Sequence, residues 1–599
     1  MTAPESEDFL GVAQSLTGRR WRARHADPSV VRQLQSHLGL AEPLARVLAG
    51  RGVDQDSAQS FLRPTLRDLF PDPSSFAGMD EAAATLVDAL TLGHAMVVFA
   101  DYDVDGASSA AQIVRWFRHM GTEIPIYVPD RISEGYGPSP EAFRRLKASG
   151  AELVITVDCG AAATAALAAA DEIGLRVVVV DHHLMREAPT FSAMVVNPNR
   201  PDCTSGQGNL AAAGVTLVLL AALNREARRR GLFGDLPEPD LRRWLDLAAL
   251  GAICDVTQLV GFNRALTAQG LRVMSDWSNP GLAALMDIAQ SKRGPATTFH
   301  AGFVLGPRIN AGGRIGRSDL GARLLATDDE AEALALAGEL DTLNSGRREV
   351  EKDITEAAIR AVEHGANFAP DAPAIVVAED GWHPGVIGIV AGRLRERYRK
   401  PVVVIGIDRA ADVGKGSGRS SPGVNLGRAV QVAFEQGLLL SGGGHAMAAG
   451  LAIRPGSIPE FRSFLCESLA AETAMADDAL DIDALVSPDT TARPLLEELQ
   501  RLAPFGPGNP EPLLALAAVR AERPNIVRGG HIRCALSAGG ARLEAIAWRA
   551  QDSALGQRLL SGDGGLHVVG RLKANDWNGR ISVQLEIEDA ADPRSLPKT

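Results

Sequence analysis

Asp101, Asp103 and Asp105 follow the apolar run Met96–Ala100, Asp158 follows Leu153–Val157, and Asp181-His182-His183 closes Arg176–Val180. Three short apolar runs that each end in carboxylate or imidazole are what a parallel sheet needs to gather ligands at the carboxyl edge of its strands. Aspartate and histidine together suit Mn²⁺ or Mg²⁺ better than the thiolate-rich sets that favour zinc. The chemistry this pattern predicts is metal-dependent hydrolysis.

Each cluster has a plainer reading. D-x-D-x-D-G also opens a calcium-binding EF-hand loop, but that loop needs a bidentate glutamate at its twelfth position, where this chain has Gln112. It also follows a helix, not a strand. A solvated acidic turn is the other reading; on an extended segment, alternate residues share a face and can converge on one or two cations. Asp158 alone reads as a helix cap, and gains a metal role only beside the two other strand ends. Adjacent histidines are uncommon at a strand end, so His182 and His183 are assigned to the metal or to phosphate.

The elements that must position these residues alternate. Helices at 80–92, 107–119, 140–149 and 161–172 separate strands at 96–100, 124–128, 153–157 and 176–180, which implies parallel pairing with right-handed crossovers. Helical sequence dominates 211–289, and 329–364 is a long charged stretch without proline that reads as a helix connecting two domains. A second α/β block has strands at 374–378 and 402–405 around a helix at 387–398, and closes near 451–453. Beyond 480, about five strand-like runs punctuated by Gly529-Gly530 and Gly539-Gly540 suggest a small barrel, with an oligonucleotide-binding fold as the leading candidate. Residues up to about 75 are mixed helical sequence, read as an extension packed on the α/β domain next in the chain.

A length of 599 residues suits three or four domains, and 46% hydrophobic with 22% charged residues is ordinary for soluble globular protein. The cysteines are scattered without a CxxC pair, which argues against a disulfide framework or a zinc ribbon. The first residues lack the pattern of a signal peptide, and no run approaches the roughly 18 apolar residues of a membrane span. A cytoplasmic protein with no membrane partner is expected. The net charge of −12 does not exclude nucleic acid. Bound ions neutralise a carboxylate cluster, and a groove needs only a local basic surface. Arginine and lysine outnumber acidic residues between Glu511 and Arg580, and the same region offers Trp548 and Trp577 for base stacking.

Two glycine-rich segments could bring backbone close to a phosphodiester, Gly442–Gly450 with His445, and 414–420. A plain turn is the alternative for the first, and the second lacks the spacing of a nucleotide P-loop.

The order and separation of DYDVDG (101–106), VDCG (157–160) and VDHH (180–183) resemble the DHH phosphoesterase superfamily. Across nearly the whole chain the resemblance is to its single-strand-specific exonucleases. It is carried further by R-I-S-E-G-Y-G (131–137), G-A-I-C-D (251–255), G-P-R-I-N-A-G-G-R (306–314) and G-W-H-P-G-V-I-G (381–388). G-S-G-R-S (416–420), G-G-G-H (442–445) and P-F-G-P-G-N-P (504–510) complete the set.

The resemblance implies an N-terminal extension (1–75), a parallel-sheet DHH phosphoesterase domain (76–328), a connecting helix (329–365) and a second α/β, DHH-associated domain (366–456). A helical linker (457–479) and a C-terminal oligonucleotide-binding β-barrel (480–592) complete the chain. It further implies two Mn²⁺ or Mg²⁺ ions held by Asp103, Asp105, Asp158, His182 and Asp255, with Asp158 bridging. Asp101 would support them and His183 would face the scissile phosphate. Asp255 comes from the resemblance alone. Arg131, Ser417 and Arg419 fall to the 5′-terminal phosphate, and Arg308, Asn310, Arg314 and His445 to the DNA. Many relatives carry histidine where this chain has Phe99, which leaves one metal position less well defined.

The implied activity is removal of nucleotides from the 5′ end of single-stranded DNA in repair and recombination. Single-stranded DNA is the expected partner, with a single-strand-binding protein and a helicase beside it, and the protein is expected to be a monomer. Two alternatives stay open: a DHH phosphodiesterase acting on short oligonucleotides or cyclic dinucleotides, which would need no barrel, and a non-catalytic DNA-binding scaffold, which would need no intact ligand set.

Overall fold

A computed structural model describes residues 8–131, 133–364, 371–475, 477–490, 493–562, 564–577 and 580–593, without the side chains at 576, 577, 580 and 581. Residues 69–477 form one unit; the segments up to 68 and from 478 onward form another.

The larger unit begins with a five-stranded, all-parallel sheet in the order Ile126–Tyr127, Met96–Ala100, Leu153–Val157, Arg176–Val180, Met194–Val196. Helices cover both faces of such a sheet, so its central strands read as unbroken apolar runs. Ala100, Val157 and Val180 stand in register, which brings three strand ends level. The chain steps from Met96–Ala100 to one side and then crosses back to Leu153–Val157 on the other. Asp101 and Asp158 therefore leave adjacent strands at a topological switch point, where open α/β sheets bind ligands.

The helix Glu330–His364 buries Ala333, Leu336, Ala337 and Leu340 in its first half. Its second half sends Ile354, Ala358 and Val362 into the core of a second sheet, against Ile375, Val377 and Val390. That sheet runs Ser441–His445, Ala448–Ile453, Val413–Arg419, Val402–Asp408, Ile375–Asp380. Both glycine-rich segments are thus strands, despite glycine's poor strand propensity. In Val413–Arg419 a Cβ at Gly414, Gly416 or Gly418 would come within 2.6–2.9 Å of Ile405, Leu451 or Leu426, so glycine alternates on the packed face. Lys415, Ser417 and Arg419 consequently share the other face. The helix Ile458–Met475 buries Ile458, Phe461, Leu465 and Leu469 in the core of this sheet. It is an integral layer of the domain, where a linker was expected.

The other unit holds a five-stranded barrel: Leu514–Val527, His531–Ala538, Ala541–Ala547, Arg580–Ala591 and Leu566–Trp577, closed by pairing of the last with the first. Closure leaves the barrel without a free edge. The N-terminal segment, expected to pack on the neighbouring α/β domain, finds its partners at the far end of the chain. Trp21–Ala23 pairs in parallel with Leu480–Ile482, and the fully buried Trp21 donates its indole N–H to Asp589 at 3.0 Å. Leu34, Leu44 and Leu48 join the barrel core beside Leu514, Leu536 and Leu585.

Candidate active site

Asp103 caps the helix Val104–His119, accepting from the amides of Asp105 and Gly106 at 2.8 and 3.1 Å. That turn drives Asp105 into the protein, where its carboxylate accepts from Ala212 and Ala213 at the start of the helix Ala212–Arg229, at 2.6 and 2.9 Å. Gly251 makes room for it, since a Cβ there would stand 2.4 Å from Asp105 Oδ1. Asp158 takes a left-handed conformation with φ of 60°, which turns its side chain back over the sheet edge. Asp255 ends the helix Leu245–Cys254 and faces the same spot.

His182 Nε2 is the centre of this group, 3.3 Å from Asp158, 3.6 Å from Asp255 and 3.8 Å from Asp105. Three sets of ligand atoms converge among the described residues: Asp105, His182 and Asp255; Asp158, His182 and His183; Asp101, Asp103 and Asp158. Asp158 belongs to two of the sets, which is the arrangement a bridging carboxylate requires. Asp101 Oδ1, Asp158 Oδ1 and His182 Nε2 are buried without a hydrogen-bond partner. Orphaned polar atoms of this kind are costly unless a cation satisfies them. The donor set therefore fits a divalent oxygen- and nitrogen-binding ion.

The electrostatics agree. Burial pushes Asp105 up to about 7, with His182 opposing and Asp255 and Asp103 reinforcing the rise. Burial and Asp103 do the same to Asp255, also to about 7. Asp101 and Asp158 lie well above the usual carboxylate range, through burial and then neighbouring carboxylates. So many crowded carboxylates need positive charge among them.

Sequence reasoning gave Asp181 no role, yet it organises the edge. One of its oxygens accepts from the amides of His182 and His183 and from His183 Nδ1, at 2.7, 3.2 and 2.7 Å; the other accepts from Ala161 at 2.9 Å. Burial opposes its charge, but the bonds to His183 hold it down at about 2. Burial likewise presses His183 down, and the bond and charge of Asp181 outweigh this and raise it to about 9. Its signal in the sequence was its place immediately before the histidines.

A cavity of about 290 Å³ joins this cluster to a second wall of Arg131, Arg314, Ser417 and Arg419. Arg314 donates to the Gly385 carbonyl at 3.0 Å; burial, then Arg131 and Arg347, bring it down to about 10. Arg419 donates to Ser417 Oγ and the Gly418 carbonyl at 3.2 and 2.8 Å and is lowered by burial and Arg131. Arg131 lies over the Tyr102 ring, 5.1 Å from its centroid. Among the described residues none of the three has a carboxylate partner. Crowded guanidiniums that are not locked in ion pairs form a pocket for a phosphate.

Asn310 also lines the cavity, and its side-chain oxygen accepts from the Val104 amide at 3.2 Å, steadying the turn behind Asp103. Arg308 and His445 do not line it. Arg308 is paired with Asp341 of the long helix at 2.8 Å and donates to the Val304 carbonyl. His445 is exposed at the end of its strand. Phe99 is fully buried against Tyr127 and Phe143, ring centroids 5.2 and 6.1 Å away, so it serves the core beneath the site.

A parallel α/β domain with aspartates and histidines at its switch point, beside a wall to which it gives Arg131 and Arg314 and a second domain gives Ser417 and Arg419, defines a metal-dependent phosphoesterase of the DHH type. The DHH family N-terminal domain matches residues 95–252, the DHHA1 domain 371–471 and the RecJ OB domain 482–589. The chain is 34% identical to the single-stranded-DNA-specific exonuclease RecJ of Bacillus subtilis, over 96% of this chain and 71% of that one. It is 33% identical to RecJ of Escherichia coli, over 91% and 95%. The crystal structure of RecJ from Thermus thermophilus in complex with Mn²⁺ superposes with a TM-score of 0.79 at 31% identity, over 96% of this chain and 80% of that one. Its complex with Mg²⁺ gives 0.73 at 30%, over 97% and 79%. The chain belongs to the RecJ family of single-stranded-DNA-specific exonucleases.

Proposed function

We propose that this protein hydrolyses single-stranded DNA from its 5′ end, using Mn²⁺ or Mg²⁺ held by Asp103, Asp105, Asp158, His182 and Asp255. The observation that carries this reading is the cavity in which the carboxylate cluster faces the wall of Arg131, Arg314, Ser417 and Arg419. When bound, such ions make a nucleophile available at neutral pH and neutralise charge on the phosphate.

The chain's own residues do the rest. Asp181 takes the Nδ1 hydrogen of His183 and holds the ring in the wall of the cavity, beside the place of the scissile phosphate. Arg131, Arg314 and Arg419 hold a terminal phosphate through charge-assisted bonds, with the Ser417 hydroxyl beside them. A pocket for one end group beside the hydrolytic centre suits an exonuclease, and the family resemblance supports the 5′ end as the one it takes. The barrel adds a second grip on the strand. Its Trp548 is 53% exposed, and Arg528 and Arg549 stand on neighbouring loop positions.

We propose further that it acts as a monomer in the cytoplasm, where its five cysteines, all free thiols, stay reduced. An enzyme confined to single strands suits partners that supply them, a helicase and a single-strand-binding protein, in repair and recombination.

The test uses a single strand labelled at either end. With Mn²⁺, the 5′ label should be released first as a mononucleotide, and chelator should stop release. Release of the 3′ label first, or cleavage that persists in chelator, would overturn the reading.

A further inference from the structure

Tyr136 stands in the loop between the arginine pocket and the metal centre, and nothing so far gives it a task. The residue is 56% exposed, so core packing does not explain it. The hydroxyl is nevertheless placed with two partners. It donates to the main-chain carbonyl of Asp158 at 3.3 Å and lies 3.3 Å from His183 Nε2. The ring meets His183 edge-on at 6.1 Å and Tyr102 edge-on at 6.4 Å. Gly135 and Gly137, at φ of 90° and 70°, give the loop the sharp path that turns the tyrosine inward.

Both partners need holding. Asp158 sits in a left-handed conformation that a non-glycine residue rarely adopts, and such a conformation persists only when its surroundings fix it. His183 is fixed at Nδ1 by Asp181, but one hydrogen bond leaves the ring free to tilt about it. The Tyr136 hydroxyl supplies the second point for the ring and an anchor for the strained peptide.

We propose that Tyr136 is a positioning residue for hydrolysis, its hydroxyl fixing the Asp158 peptide and the His183 imidazole in one geometry. The inference rests on the nuclease reading above. It extends the functional loop from Arg131, which lies over the Tyr102 ring, to Tyr136, which meets that ring edge-on. One segment thus serves both the end-phosphate pocket and the hydrolytic edge.

The experiment is Tyr136→Phe in the full-length protein with Mn²⁺, assayed on a 5′-phosphorylated single strand. Phenylalanine keeps the ring contacts and removes only the hydroxyl. kcat should fall about ten- to a hundredfold, the worth of a hydrogen bond to a charged group. KM, strand affinity measured in chelator and the melting temperature should stay at their wild-type values. In a His183→Ala background the same substitution should cost much less, because one of the two groups it positions is already gone. An unchanged kcat, a matching loss of strand affinity, a lowered melting temperature or an undiminished effect beside His183→Ala would each overturn the proposal. Failure of the wild-type protein itself to cleave with Mn²⁺ would instead overturn the nuclease reading.

Discussion

Asp181 and His183 are joined at 2.7 Å between carboxylate and Nδ1, and the other oxygen of Asp181 accepts from Ala161, just past the loop that carries Asp158. One buried carboxylate thereby ties two strand ends of the site together. Asp181→Asn keeps the shape but puts an amide donor or a weaker acceptor against Nδ1. Partners that orient a ligand or a reacting group cost about 10–100-fold when replaced, so kcat should fall by that factor with strand affinity in chelator unchanged. Loss of affinity in step with kcat would show that Asp181 merely supports the fold.

Gly251→Ala tests the packing behind Asp105. The new methyl group would stand 2.4 Å from Asp105 Oδ1 and 2.6 Å from Ala213 Cβ, and neither can retreat from the start of a buried helix. The Mn²⁺ concentration for half-maximal activity should rise about tenfold or more. A wild-type metal requirement would mean that Asp105 is not a ligand.

Arg419→Ala should erode the preference for 5′-phosphorylated over 5′-hydroxyl ends. A charge-assisted contact to a terminal phosphate is worth roughly 1.5–3 kcal/mol, about ten- to a hundredfold. Cleavage of the two substrates, compared in parallel, decides the matter: an equal fall on both would place Arg419 against an internal phosphate.

Trp548→Ala should weaken single-strand binding and spare hydrolysis at saturation. The indole is exposed and meets His531 edge-on at 4.8 Å, the posture of a stacking platform. Stacking is worth about 1–3 kcal/mol per base, so affinity by fluorescence anisotropy should drop about five- to 150-fold. Affinity equal to wild type would leave the exposed indole without a part in DNA binding.

Asp246 gives a pH-dependent prediction away from the site. Burial raises its carboxyl to about 6, against a partial offset from the Leu247 amide and Arg115. The unfolded chain ionises near 3.8 and the folded one near 6, so the unfolded state binds fewer protons in that interval and stability falls as pH rises through it. Asp246→Asn should match wild type near pH 4 and exceed it above pH 6, by at most roughly 3 kcal/mol. Urea midpoints at the two pH values would show it; equal midpoints at both would mean that the carboxyl is not desolvated.

Much of the site was legible because a parallel sheet converts sequence position into spatial position: residues after apolar runs must meet at one edge. Asp101, Asp103, Asp158 and the two histidines were readable for that reason. Asp255 was not, since it ends a helix whose approach to the sheet is fixed by tertiary packing, and only family likeness pointed to it. Arg308 carries the same charge as Arg314 in the same segment, yet faces Asp341; helical phase relative to a distant helix decides which arginine reaches the cavity. The glycine-rich runs misled local reading, because glycine signals a turn when considered alone. In Val413–Arg419 it answers to close approach by Leu426 and Leu451, side chains the local sequence does not contain. The helix Ile458–Met475 looked like a linker for a related reason: its hydrophobic partners lie on strands far back in the chain.

The pairing of Trp21–Ala23 with Leu480–Ile482 has a consequence for biosynthesis. At the ribosome, the helices Pro28–Leu38 and Glu42–Gly50 emerge before the larger unit, with Leu34, Leu44 and Leu48 destined for a barrel that does not yet exist. About 400 residues of the larger unit separate the two segments, and at about 5–20 residues per second that is a wait of roughly 20–80 seconds. During it the nuclease domains can complete their own folding, while the first segment remains an apolar tether open to chaperones. The barrel therefore matures only after the larger unit has been made, and a chain stalled before Leu514 would carry the hydrolytic centre without it.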